Sequence, residues 1–552
     1  MRSALQRIGT ALACAALLAM SACAPRSQAP TAESLPHFVT ENGRHAFIVD
    51  GQPFLMLGAQ ANNSSNYPSA LPKVWPAIEA LHANTLEIPV AWEQIEPSEG
   101  QFDFSYVDTL VAQARTHNVR LVLLWFGAYK NTGPNYAPGW VKLNNQRFPR
   151  MIDHDGKTVY ALSPHVQATL DADSRAFAAL MRHLRELDGA QHTVILVQVE
   201  NETGVYGPVR DFSPAAQALF AAPVPDALVQ ALHKTPGTWA QVFGRDADEF
   251  FAAWFMARYV EQVAQAGHRE YALPMYANAA LRDPVNYQDP HSFASGGPTW
   301  DVLDIWKTAA PTLSVLAPDV YDRPYAMATA HFARYTRPDN PLMIVEIGND
   351  PSYARHFFHV LGQGGVGFAP FGMDYTGYSN YPLGTSSEGD ARIAPFAQLF
   401  EVMAPMARDW ARIAYEHPTW GVAKPDDNAD QSIDLGDSRW KATVEYDEWA
   451  FGFARWNMAH DEPPPNLAKK SGGAMVAQLG PDEYLLVAQN ARVSFALKDA
   501  SGANGVLFDR VEEGHFERGR WVMDRIWNGD QTDYGLNFSD QPRVLRVKLA
   551  TY

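Results

Sequence analysis

Eight short apolar runs constrain this chain more than any other feature. They lie within Phe47–Gln60, Asn84–Trp92, Arg120–Ala128, Val194–Gly204, Leu273–Ala280, Thr312–Tyr321, Pro341–Gly348 and Gly364–Asp374. Stretches such as VILVQV and LMIV are apolar or β-branched at nearly every position, the pattern of strands covered on both faces. Helical spacing fills most of the intervals. In Phe104–Asn118, for example, Val107, Leu110, Val111 and Ala114 share one face. The first run also carries a hairpin signal at Asp50-Gly51. Ser213–Gly267 reads as a helical insertion after the fourth run. Parallel strands need covering crossovers, so eight such units predict an α/β fold, a (β/α)8 TIM barrel over residues 37–415.

The texture changes after Pro418. Trp440–Trp456, Glu483–Leu497, Gly519–Asp530 and Arg543–Ala550 show strand-like alternation between turn residues, which predicts an appended C-terminal β-sandwich domain over 416–552. At the other end, Arg2 and Arg7 precede the apolar run Ala11–Met20 and then Ser21-Ala22-Cys23. This is a signal segment (1–23) with a lipobox-like end, followed by a Pro-, Ser- and Ala-rich tether (24–36). The expected location is the periplasm of a Gram-negative bacterium, as an outer-membrane lipoprotein anchored only through a lipid on Cys23. Cys14 and Cys23 are the only cysteines, so a chain cleaved before Cys23 has no internal disulfide and no cysteine metal site. A net charge of −17 disfavours nucleic acid and anionic membrane surfaces as partners and suits a neutral ligand. Hydrophobic residues make up 47% of the 552, enough for a large core.

The barrel expectation turns attention to strand ends, because barrel enzymes place their reacting groups at the C-terminal ends of strands. The fourth run ends in Glu200-Asn201-Glu202 and the seventh carries Glu346. A carboxylate closing an apolar strand is costly to desolvate unless it is hydrogen-bonded or functional. Two carboxyls about 5–5.5 Å apart suit retaining glycoside hydrolysis, one as nucleophile and one as acid/base. No HExxH, phosphate loop, dinucleotide fingerprint or metal-spaced His cluster is present, so no cofactor and no metal is expected.

An Asn-Glu pair after strand four with a Glu after strand seven resembles the clan A glycoside hydrolases. Three segments are similar to glycoside hydrolase family 35, the β-galactosidases: VDGQPFLMLGAQ, the block Trp75–Ser105 with its Glu-Pro and Gly-Gln-Phe-Asp-Phe, and QVENETG. The resemblance implies Glu202 as acid/base, Glu346 as nucleophile, Asn201 on the sugar 2-hydroxyl and Glu200 in a supporting place. Tyr321, at the end of strand six, would donate to the nucleophile. The chain departs from animal-type members after strand three, where LLWFGAYKNTG offers Tyr129 and Asn131 but no match to the family's Ala-Glu-Trp. The resemblance points to a bacterial exported subgroup and to galactosylated oligosaccharides, xyloglucan side chains among them.

Polar and aromatic residues at the remaining strand ends complete the candidate binding set: Gln60, Asn62 and Asn63; Trp92 and Glu93; Asn278; Trp300 and Asp301; and more weakly Phe371 and Asp374. Two other readings stay open. One is another clan A glycosidase, of family 42 type or with a different glycosyl specificity. The other is a lipoprotein that binds glycan without cleaving it.

Overall fold

The computed structural model of the protein describes residues 35–446, 467–501 and 505–552. The signal segment 1–23, nearly all of the 24–36 tether and the second half of Trp440–Trp456 lie outside the described residues. Among the described residues, no helix is long and apolar enough to cross a membrane.

Each apolar run forms a strand: β1 (Met56–Gln60), β2 (Thr85–Ala91), β3 (Arg120–Lys130), β4 (Val194–Asn201), β5 (Met275–Ala280), β6 (Leu313–Val320), β7 (Met343–Ile347) and β8 (Gly367–Pro370). Neighbours pair in parallel in chain order, and β8 pairs back onto β1, closing an eight-stranded barrel with helices outside it. The period of two decides what each residue touches. On β3, Val122, Leu124 and Phe126 join the barrel interior, while Leu121, Leu123 and Trp125 join the layer under the helices. Phe47, Val49 and Phe54, from the antiparallel strands Arg44–Val49 and Gln52–Phe54, belong to that same interior cluster. The hairpin read from Asp50-Gly51 therefore plugs the bottom of the barrel and leaves the opposite mouth for polar groups.

The expected insertion is shorter than Ser213–Gly267. Short helices at Pro214–Ala221, Asp226–Ala231 and Trp239–Phe243 form it. Ala247–Glu270 is instead the crossover helix between β4 and β5, packed on the β3–β4 crossover helix Gln167–Asp188. Both stretches are apolar and helical, so periodicity alone could not separate them.

Two antiparallel sheets follow the barrel. One has six strands, in the order Thr419–Ala423, Gly473–Gly480, Glu483–Gln489, Arg543–Thr551, Val506–Glu517 and Arg520–Ile526. The other has four: Gln431–Asp434, Trp440–Glu445, Ala491–Leu497 and Leu536–Phe538. Trp440, Tyr484, Leu486, Val493 and Leu545 fill the space between them, as in a sandwich. Glu483–Leu497, expected as one strand, is two strands in different sheets, broken at Asn490 with φ +49. The six-stranded sheet is buried on its other face as well, where Met475, Ala477, Leu485 and Val487 pack into the barrel's helical layer. Contact there is close: a Cβ on Gly362 would stand 2.2 Å from the Gly421 backbone.

Candidate active site

The barrel mouth holds a cavity of about 420 Å³ whose lining includes Asn63, Lys130, Asn131, Glu202, Tyr206, Asp319, Tyr321, Glu346 and Phe371. Asn380 and Leu383, from the segment after β8, close one side. That segment is pinned: Asn349 Oδ1 accepts from the Thr385 N–H at 2.8 Å, and Arg323 donates to the Gly384 carbonyl at 2.8 Å.

Glu346 sits on β7 with both carboxylate oxygens engaged. Tyr321 Oη donates to Oε1 at 2.5 Å and Gln60 Nε2 donates to Oε2 at 2.8 Å. Tyr321 is itself fixed, since Tyr353 Oη donates to its carbonyl at 2.6 Å. Burial, and then the Glu346 charge, push the Tyr321 phenol well above its usual range, which keeps it a donor. Gln60 is only 2% exposed and serves the carboxylate from below.

Glu202 has a different environment. Its backbone turns sharply: Glu200 and Glu202 have φ of +62 and +44, and Gly204 has +113. Left-handed conformations are unfavourable for residues with a Cβ, so the surroundings must hold them. Asn278 Oδ1 accepts from the Glu202 N–H at 3.0 Å, and the Glu200 carboxylate accepts from the Tyr129 N–H at 2.7 Å. A Cβ on Gly204 would meet the Ala294 carbonyl oxygen at 2.3 Å, so only glycine completes the turn. The turn sends the two glutamates apart. Glu200 goes into the helical layer beside Asp173, where burial and then the Asp173 charge push its carboxyl well above the usual range. Glu202 goes into the mouth. Burial raises its carboxyl to about 7, with Lys130 opposing and Glu346 adding to the rise. Lys130 Nζ lies 4.0 Å from Glu202 Oε2 and also bonds Asn131 Oδ1.

One oxygen from each of Glu202, Asp319 and Glu346 lies within 4.8 Å of the other two. Among the described residues this is the one acidic group whose spacing could close on a cation. The donors from Gln60 and Tyr321 already take both oxygens of Glu346, an arrangement suited to a reacting carboxylate.

Asn201 is fully buried at the end of β4 and is not part of the cavity wall, and neither atom of its amide has a hydrogen-bond partner. Asn278 is 1% exposed and holds the Glu202 backbone, with no place in the cavity wall. Asn131 lines the cavity. Four expected binding residues stand elsewhere. Trp92 is fully buried, donates to Glu96 at 2.9 Å and packs edge-on against Trp140, because the chain turns into a helical turn at that residue. Tyr129 is fully buried and donates to the Leu162 carbonyl at 3.0 Å, its side chain directed into the helical layer. Asn62 donates to Asp374 through its amide and its backbone, both at 2.9 Å, so it fastens two loops together and leaves the cavity to its neighbour Asn63. Trp300 donates to the Asp283 carbonyl and lies under the Arg334 guanidinium at 4.2 Å, outside the mouth.

Lys130, Asp319 and Tyr206 are cavity residues that strand-end reasoning passed over. The signal for Asp319 was present: it is the one charged residue of the run LSVLAPDV, next to its end, and lies two positions before Tyr321, hence on the same side of the chain. Lys130 likewise closes the apolar strand LVLLWFGAY. Tyr206 lies in an irregular segment and had no such signal.

Residues 75–264 match the family model described as Beta-galactosidase (Glyco_hydro_42), and residues 396–539 match a domain of unknown function, DUF5597. A beta-galactosidase of Xanthomonas manihotis is 31% identical over 195 residues, which cover 34% of this chain and 30% of the relative. The matched stretch is thus under a third of that relative's length. Among solved structures, a beta-galactosidase from Bacillus circulans sp. alkalophilus aligns with TM-score 0.46 and 12% identity over 64% of this chain and 57% of that one. The beta-galactosidase from the psychrophilic Marinomonas ef1 aligns with TM-score 0.49 and 10% identity over 66% and 62%. The family model matched inside the barrel is that of family 42, whereas the likeness to family 35 stays with the motifs quoted above. The chain is a closed (β/α)8 barrel whose β2–β4 half is similar to β-galactosidases.

Proposed function

We propose that this protein is a retaining exo-β-galactosidase that removes terminal β-galactosyl residues by double displacement. Glu346 attacks the anomeric carbon while Glu202 gives its proton to the leaving oxygen. A glycosyl ester forms on Glu346. Glu202, now a carboxylate, takes a proton from water as that water displaces the ester, and Glu346 leaves as a carboxylate. The observation that carries this reading is the contrast between two carboxyls whose oxygens lie within 4.8 Å. Glu346 accepts two hydrogen bonds, which suit an anion, and Glu202 is pushed to about 7 by burial, which suits a proton donor. The partnerless Asn201 amide fits a group reserved for a sugar hydroxyl. The wall formed by Asn380 and Leu383 favours cleavage from a chain end.

The family 42 match favours that family over family 35, and the two-glutamate mechanism is common to both assignments. Galactosylated xyloglucan oligosaccharides, export and a lipid on Cys23 belong to the same proposal. The test is hydrolysis of a nitrophenyl glycoside panel beside lactose and galactosylated xyloglucan oligosaccharides, with the first-formed anomer followed by NMR. The expected product is β-galactose, absent in Glu346→Gln. Inertness toward every galactoside would overturn the substrate, and first-formed α-galactose would overturn the mechanism.

A further inference from the structure

A third carboxyl enters the same mouth from β6. Asp319 stands in register with Glu346 across the β6–β7 pair and is 2% exposed. Its Oδ2 accepts from Asn278 Nδ2 at 2.6 Å, and Asn278 Oδ1 accepts from the Glu202 N–H at 3.0 Å. One amide therefore ties Asp319 to the end of the acid/base strand. Asp319 Oδ1 is buried without a hydrogen-bond partner. The titratable groups facing Asp319 are Glu346 on β7, Glu202 after β4 and Lys130 on β3, with the phenols of Tyr276, Tyr321 and Tyr335 around them. Lys130 is the one cation of this set, and its Nζ is directed to Asn131 and Glu202. Three carboxylates sharing one ammonium at so buried a position would repel one another, and when Glu202 gives up its proton the same repulsion favours keeping one on its neighbour Asp319. Burial, and then the charges of Glu346 and Glu202, hold the Asp319 carboxyl well above its usual range.

We propose that Asp319 is the positioning residue of the acid/base step, a neutral carboxylic acid whose O–H donates to Glu202 whenever Glu202 is ionised. The proposal rests on the assignment of Glu202 as acid/base. When Glu202 passes its proton to the leaving oxygen, the Asp319 O–H hydrogen-bonds the new carboxylate. Asp319 keeps its own proton throughout, and the proton that restores Glu202 comes from the attacking water. An ionised Asp319, held only by Asn278, would do the reverse: it would repel the Glu202 carboxylate and delay its formation.

The two arrangements predict opposite signs in one experiment, the pH profile of kcat/KM on an aryl glycoside that the wild type cleaves. Asp319→Asn puts an amide N–H where the carboxyl O–H stands and carries no charge. Its alkaline limb is expected within about 0.3 unit of the wild type, with kcat within about threefold. Asp319→Leu removes the donor. Its limb should move up by about half a unit or more, and kcat for a substrate limited by deglycosylation should fall about tenfold. A downward move of about one unit in Asp319→Asn would mean that an anion had been removed, and would overturn the proposal. Should Asp319→Leu fail to fold, the sign in Asp319→Asn decides alone. Glu202→Gln separates this proposal from its foundation: an alkaline limb that persists there sinks the Glu202 assignment, whatever the Asp319 variants do.

Discussion

Tyr321→Phe removes one oxygen from the site and disturbs little else. The phenol donates to Glu346 Oε1 at 2.5 Å, and the ring's backbone stays held by the 2.6 Å bond from Tyr353. Gln60 keeps its 2.8 Å bond to the other carboxylate oxygen. Loss of a hydrogen bond to a charged group costs about 1.5–3 kcal/mol net. At 1.36 kcal/mol per decade this is about a 10- to 150-fold effect. It falls unequally on the two steps. The phenol stabilises the free carboxylate, so it assists the departure of Glu346 from the glycosyl ester and does little for its attack. Deglycosylation should therefore slow by the full factor. With an activated aryl galactoside, steady-state kcat falls about 10- to 150-fold, KM falls with it, and rapid mixing shows a burst of released phenol. A variant with kcat within about threefold of wild type and no burst would refute the roles given to both Tyr321 and Glu346.

Glu202 must be protonated to act as an acid, and burial raises it to about 7, so kcat/KM should fall as pH rises through about 7. In Glu202→Ala, poor leaving groups should lose about 100- to 10,000-fold and activated ones far less, with azide restoring turnover as a glycosyl azide. Asn201→Ala should lower kcat about 10- to 100-fold and change KM little, because a contact to the 2-hydroxyl strengthens in the transition state. Trp92→Ala should cost about 3–5 kcal/mol in urea unfolding and leave kcat per folded molecule unchanged, since Trp92 is core. Glu200→Gln should unfold near wild type, its amide accepting from Tyr129 and donating to Asp173. Glu200→Ala, which strands the buried Tyr129 N–H while Asp173 keeps its donors Trp125, Tyr259 and Ala128, should cost about 1–3 kcal/mol.

Strand order was legible because it follows from periodicity, whereas the choice of Glu202 over Glu200 came from the motif resemblance. A run apolar on both faces leaves a barrel strand few alternatives, and a carboxylate at its end stands out. Gln60 was singled out as a strand-end residue, although it binds Glu346 where a sugar contact was expected, and Tyr321 was singled out by strand position together with the resemblance. Side-chain direction beyond the strand ends was not legible. Trp92 and Tyr129 sit at the right depth, but the chain bends at one and alternates inward to the helices at the other, so both are packed away. Asn62 and Asn63 are equivalent in sequence, and a single long-range acceptor, Asp374, decides which one faces the cavity. Contacts set across more than 300 positions leave no local pattern.

The motif Glu200-Asn201-Glu202 shows how one short stretch supplies both support and chemistry. In a regular strand, residues two apart share a face, and both glutamates would have entered the same environment. Left-handed backbone at each of them breaks that rule. The strain is offset by hydrogen bonds that themselves belong to the site: Glu200 holds the β3 end, Asn278 holds the Glu202 N–H, and the Asn131 N–H donates to the Asn201 carbonyl at 3.3 Å. Relaxing the turn would therefore move Glu202 away from Glu346 and expose the buried Glu200 and Asp173 pair together. The cost of burying that pair is thus coupled to the placement of Glu202, and the strain here fixes its carboxyl in the mouth beside Glu346.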